Sequence, residues 1–179
     1  SWAMLGYAEE IEFLSTLPAK DFTAIGRTKD EVLALFRRAA EATCDFWIDY
    51  GTAIDGIPYW DTGAPNLHRL GDWQARPADP FNDWEPVDSS AAAIAAQGLI
   101  RLGRSCKGAL GARYLQAGLT VARSLFAEPY LSTAKTHQGL LLHQIYHRPN
   151  GWDHVPKGSK IPRGESALWG DYHLMELAV

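Results

Sequence analysis

A run of small residues, SSAAAIAAQGLIRLG from Ser89 to Gly103, most tightly constrains how this chain can fold. Asp88 precedes it as a helix N-cap, with Pro86 just ahead, and Gly103 supplies a stop. Alanine favours helix and leaves the helix thin, so a neighbouring helix can come close. Four more helices are predicted around it. Thr28-Lys29-Asp30-Glu31 carries the spacing of a capping box. After it, Val32, Phe36, Ala39, Thr43, Phe46 and Tyr50 recur at steps of three and four, widened by Leu33, Ala40 and Trp47, until Gly51 ends the stripe. A further helix covers roughly Ala112 to Phe126, one opens the chain, where either Ser1 is its cap or the sequence has been cut from something longer, and ESALWGDYHLMEL (Glu165 to Leu177) closes it.

The order is helix, short turn, helix, long loop, which suits stacked helical hairpins presenting their loops on one side. The long segments are Gly51 to Val87 and His147 to Gly164. Loops of such length are usually functional or disordered. Trp73, Phe81 and Trp84 in the first argue for order, because disordered segments carry few aromatics. The chain enters its first helical pattern at its second residue and stops in MELAV without a capping residue, so a piece of a longer protein is expected.

Composition removes several classes of function. With 46% apolar residues, the 179-residue chain can bury a core. A net charge of −4, with no dense cluster of Lys and Arg, excludes nucleic acid as the expected partner. No apolar run is long enough to span a membrane, and no basic-then-apolar leader opens the sequence, so no membrane role is expected and the cytoplasm is the expected location. Cys44 and Cys106 both fall in stretches read as helical and make no disulfide framework, which fits a reducing compartment.

The residues able to carry chemistry lie mainly in the loops. Tyr59, Trp60 and Asp61 stand on a Pro-stiffened segment, IDGIPYWDTGAPN, where aromatic rings can take the apolar faces of a sugar and the carboxylate its hydroxyls. The simpler reading has Trp60 plugging the end of a helix array and Asp61 capping a turn. Asp88 could pair with Asp61 or Asp171 for glycoside hydrolysis, but its N-cap position accounts for it more simply. Five of the six histidines lie in the last third, yet none forms a His-x-x-x-His pair followed by an acidic ligand, so no metal site is expected. His143 and Tyr146 read as cleft lining or as core. Arg148, Lys157, Lys160 and Arg163 surround Trp152 in the late loop, a combination suited to an anionic sugar and equally to a solvated surface.

Four segments taken together, DGIPYWDTGAP, EPVDSSAAAIAAQGLIRLG, GLLLHQIYHRPNG and ESALWGDYHLMEL, resemble in order and spacing the C-terminal half of the unsaturated glucuronyl hydrolases, glycoside hydrolase family 88. The resemblance implies an all-α fold, the (α/α)6 six-hairpin barrel, of which residues 1–179 would form the C-terminal portion. It implies as partner an oligosaccharide, left by a polysaccharide lyase, that ends in a 4,5-unsaturated uronic acid. An Asp of the family protonates C4 of this enol ether and activates water to add at C5, and the hemiketal then collapses to release the leaving sugar. No metal or organic cofactor is implied.

The family's two catalytic aspartates lie upstream of the matching region, so no residue here inherits the catalytic role. Trp2 matches the Trp of the family's Arg-Gly-Gln-Ala-Trp-Ala and becomes a candidate for stacking on the sugar. Ser159 and Lys160 fall where sulfate-recognising members carry Ser-x-x-Ser-x-Lys, which implies a role toward a polar or anionic group. Trp169-Gly170-Asp171-Tyr172 would open the last barrel helix, facing the cleft or locking its rim. The expected substrate-binding set is Trp2, Tyr59, Trp60, Asp61, His143, Trp152, Ser159, Lys160 and Trp169. Half a barrel leaves apolar helix faces such as those around Leu5 and Leu14 without partners, so a companion N-terminal half or self-association is expected. Two alternatives stay open, an unsaturated rhamnogalacturonyl hydrolase and a non-catalytic carbohydrate-binding helical module.

Overall fold

The computed structural model describes all 179 residues, Ser1–Val179. Five α-helices carry the architecture: α1 (Trp2–Thr16), α2 (Lys29–Phe46), α3 (Ser89–Ser105), α4 (Gly108–Leu125) and α5 (Leu168–Leu177). There is no β-sheet, only isolated antiparallel bridges at Tyr59–Val87 and Leu131–Leu141.

The Ala-rich run forms α3, and it is the hub. It packs against α1, α4 and α5, while α2 lies mainly on α1. Its small residues permit this. A Cβ on Gly98 would lie 2.7 Å from the Leu5 nitrogen of α1, and one on Gly103 would lie 2.6 Å from the Leu115 nitrogen of α4. On the side facing α5, Gln97 Nε2 donates to the His173 carbonyl at 2.8 Å. Ala92, Ala93, Ala95 and Ala96 are buried, so the helix is enclosed on most of its circumference.

Gly103 therefore has a different role from the expected cap. The close crossing with α4 requires it inside the helix, which runs two residues further to Ser105 and ends at Cys106. Cys106 thus lies just outside a helix, whereas Cys44 is buried within α2, and both are free thiols. The helix read from Ala112 opens four residues earlier, at Gly108.

The capping box of α2 forms as the spacing predicts. Glu31 N–H donates to Thr28 Oγ1 at 3.2 Å, and Thr28 N–H donates to Glu31 Oε2 at 2.8 Å. After Phe46 the helix widens into one π-helical turn, Trp47–Gly51, so Gly51 does end the run. A 3-10 turn over Ala19–Ile25, anchored by buried Phe22, had no signal in the hydrophobic pattern.

The 51–87 loop closes on itself. Trp60 N–H donates to the Pro86 carbonyl and Asp88 N–H to the Pro58 carbonyl, both at 3.0 Å. Its exit joins the start of α3, which the 141–145 segment also holds: Ser89 N–H donates to the His143 carbonyl and Ser89 Oγ to that of Leu142. No helix is long and apolar enough to cross a membrane.

Candidate functional site

The N-terminal ends of α1, α3 and α5 and the C-terminal end of α2 meet at one end of the helix array, where they enclose a cleft of about 630 Å³. Trp2 and Met4 come from α1, Thr43 and Trp47 from α2 and the turn after it, and Trp60 and Asp61 from the long loop. Asp88 and Ser90 enter from α3, and Tyr146 and Trp169 from the late loop and α5. A cleft of this size, mostly apolar with a few convergent polar groups, is an ordinary small-molecule site.

Two of its tryptophans are tied down through their indole N–H groups. Trp60 Nε1 donates to Glu85 Oε2 at 2.7 Å. Trp169 Nε1 donates to Ser90 Oγ at 3.1 Å, and Ser90 Oγ in turn donates to Asp88 Oδ1 at 2.6 Å. Trp2 is held more loosely. Its ring meets His173 edge-on at 5.0 Å and stays 61% exposed. Tyr59 is buried, packed edge-on against Trp73 at 5.4 Å, and also lines the cleft.

The carboxylates here are engaged by backbone. Asp88 Oδ1 caps α3 by accepting the N–H groups of Ser90 and Ala91 at 3.0 and 3.2 Å. Burial raises its pKa, and the hydrogen bonds from Ser90 and Ala91 pull the other way. Asp61 Oδ1 accepts the Gly63 N–H at 2.6 Å in a local turn.

Of the nine residues expected to bind substrate, the structure gathers Trp2, Tyr59, Trp60, Asp61 and Trp169 around this one cleft. Trp152 stands one ring removed. It stacks on Tyr146 at 5.5 Å, and Tyr146 contacts Trp169 at 5.4 Å, so the aromatic wall continues outward through Tyr146.

The other three lie elsewhere. His143 is 4% exposed, set edge-on to Phe81 and Tyr130, and its Nδ1 accepts the Gly164 N–H at 3.1 Å. Lys160 pairs with Asp83 at 2.8 Å beside Trp84, against the surface of the long loop. Ser159 sits in the adjoining turn, where its N–H donates to the Pro156 carbonyl.

Sequence reasoning passed over Glu85, Ser90 and Trp47. Glu85 had a detectable signal, since a lone acid between Trp84 and Pro86 leads into a segment expected to be ordered. Its partner Asn66 lies 19 residues away, and no periodicity links the two.

Comparison with known proteins agrees with this architecture. No protein-family model matches the chain. Over 138 residues, 76% of the chain, it is 28% identical to a curated unsaturated glucuronyl hydrolase of Formosa agariphila, and the match takes in 28% of that protein. The crystal structure of a heparin-specific unsaturated glucuronyl hydrolase superposes on 98% of the chain with a TM-score of 0.60 and 21% identity. This chain carries part of the unsaturated glucuronyl hydrolase fold.

The enzyme from Bacillus sp. GL1, responsible for the degradation of glycosaminoglycan, matches 99% of the chain with a TM-score of 0.59 and 21% identity. The Streptococcus agalactiae enzyme gives the same values over 99% of the chain. The chain spans 36% to 38% of these solved structures, so its five helices correspond to a portion of the all-α six-hairpin barrel.

Proposed function

We propose that the chain forms the sugar-binding portion of an enzyme that hydrolyses unsaturated glucuronyl oligosaccharides. The observation that carries this reading is the cleft at one end of the helix array, where Trp2, Trp60 and Trp169 stand around a single space. Sugar rings lay their apolar C–H faces on aromatic surfaces while polar groups at the rim meet their hydroxyls. Its occurrence in a chain with the fold and partial sequence of unsaturated glucuronyl hydrolases directs the choice of sugar.

The chemistry assigned to the whole enzyme is acid/base hydration of the 4,5 double bond. A carboxylic acid protonates C4, water adds at C5 after giving up its proton, and the hemiketal opens to release the second sugar. We assign that acid and base to chain lying upstream of Ser1. The engagement of the two cleft carboxylates, and of Asp171 outside the cleft, supports this assignment. Asp61 accepts a turn N–H, Asp88 caps α3, and Asp171 accepts two loop amides.

The test follows the ultraviolet absorbance of the conjugated unsaturated uronate in a lyase-generated disaccharide. The 179-residue chain alone is expected to leave it unchanged, and the chain joined with the upstream portion is expected to abolish it. Turnover by the chain alone would overturn the upstream assignment and move the acid/base role to Asp61, Asp88 or Asp171.

A further inference from the structure

Glu85 is 1% exposed and has no cationic partner. A carboxylate in that position is stable only if its oxygens are fully hydrogen-bonded. Three donors meet it. Oε2 accepts the Trp60 indole N–H at 2.7 Å, and Oε1 accepts the Asn66 backbone N–H at 2.8 Å and the Asn66 Nδ2 at 2.9 Å.

The backbone of Glu85 is clamped as well. Asn82 Oδ1 accepts its N–H at 2.9 Å, and Asn82 Nδ2 donates to its carbonyl at 2.8 Å. The next residue, Pro86, takes the Trp60 backbone N–H at 3.0 Å. One short segment therefore grips Trp60 at two points, its main chain and the far edge of its ring.

We propose that Glu85 is a positioning residue that fixes the plane of the Trp60 ring as a wall of the cleft. The proposal rests on the sugar-binding reading of that cleft. Rotating the indole away would strip Oε2 of its donor inside the protein, where the group cannot recover water. The ring is thus held in one orientation before any ligand arrives, and a ligand does not have to order it. Glutamine cannot take over the role. Its single carbonyl oxygen can serve either Trp60 or Asn66, and its NH₂ then faces the other donor.

The experiment uses the 179-residue chain labelled with 15N at the indole nitrogens, with the Trp60 resonance identified by its loss in W60F. The ligand is the lyase-generated disaccharide of unsaturated glucuronate and N-acetylgalactosamine. In E85Q the Trp60 resonance is expected to move upfield and exchange faster with solvent, and the disaccharide Kd to rise roughly ten-fold, about 1.4 kcal/mol. In the W60F background, E85Q is expected to weaken binding no further, because Glu85 acts through Trp60.

An unmoved resonance, or an equal loss of affinity in both backgrounds, would overturn the assignment. Should circular dichroism find E85Q unfolded, E85D replaces it. E85D keeps the charge one methylene short of the indole, and the same resonance shift and cycle are expected. Wild-type protein that does not bind the disaccharide would overturn the reading of the cleft itself, whereas wild-type binding with E85Q unchanged would overturn only the role of Glu85.

Discussion

Oδ1 of Asp171 accepts the backbone N–H of Leu141 at 2.9 Å, and its Oδ2 accepts that of Leu140 at the same distance. Asp171 lies in the first turn of α5, so these bonds fasten the helix start to the segment that also holds the start of α3. A Cβ on Gly170 beside it would fall 2.1 Å from Gln144 Oε1, the end of a side chain that would have to shift to admit it. The D171A variant leaves two amides without acceptors and is expected to lose about 1–3 kcal/mol, with D171N losing less. Urea denaturation measures the loss, and faster amide exchange at Leu140 and Leu141 locates it.

His143 sets a pH dependence. Burial, aided by the Arg163 guanidinium, lowers its pKa from 6.5 to about 4. Its Nδ1 is the acceptor for Gly164 N–H, so a proton there would break that bond. Between pH 4 and 6.5 the unfolded chain binds more protons than the folded one, so stability rises with pH across that window. Acidification from 6.5 to 4 is expected to cost on the order of 3 kcal/mol from this group. Because His143 has a φ of 65°, the control is H143N, which tolerates left-handed backbone. Its melting temperature should fall less steeply over the same pH interval.

These two residues also mark how far the sequence could be read. Helix signals are local: Thr28 and Glu31 lie three apart, and Asp88 adjoins the helix that it caps. Both were legible without knowledge of the rest of the fold. The aromatic members of the cleft were legible for a related reason, since Trp60 and Trp169 stand out in short segments matched by the family resemblance. Partnerships across the chain were not legible. His143 was expected at the cleft and lies in a separate buried cluster with Phe81 and Tyr130, contacts set by tertiary packing. Lys160 was read as a candidate for an anionic group, and only folding brings Asp83, 77 residues away, to its ammonium.

Gly98 tests the closeness of α3 to α1. An added Cβ would lie 2.7 Å from the Leu5 nitrogen and the Met4 carbonyl carbon, both backbone atoms that move only with the helix. Overpacking of this kind typically costs about 1–3 kcal/mol. The G98A variant is expected to melt at a lower temperature. Because the displaced helix carries Trp2, the variant should also lose disaccharide affinity. An unchanged melting temperature would refute the tight crossing.

Arg113 makes a contrasting prediction. Its guanidinium reaches Asp45 and Asp49, each at 2.6 Å, and joins α4 to the end of α2. The side chains are well exposed, and exposed ion pairs of this kind contribute about 0–1 kcal/mol and are screened by salt. R113M is therefore expected to lower stability by less than about 1 kcal/mol, with the difference shrinking as sodium chloride is raised. A loss several times larger in urea denaturation would mean that the bridge does more than tie two surface helices.

The side of the array formed by α3, α4 and α5 has a groove lined mainly by apolar residues, Leu115, Leu119, Ala122 and Met175 among them, with Arg101, Arg104 and Glu176 also in its walls. Leu119 is 46% exposed and Met175 58%. Exposed apolar side chains gathered in one groove favour association, and the matched structures carry most of their length outside the region shared with this chain. Light scattering of the 179-residue chain is expected to show dimers or larger species as concentration rises. L119E and M175E, which place charge in the groove away from the cleft, are expected to shift it toward monomer while leaving disaccharide affinity intact. Supplying the part of the fold that the matched structures carry outside the shared region is expected to have the same effect, because a helix covering the groove would remove the surface that associates. A wild-type monomer at every concentration tested would contradict the expectation that this face requires a partner.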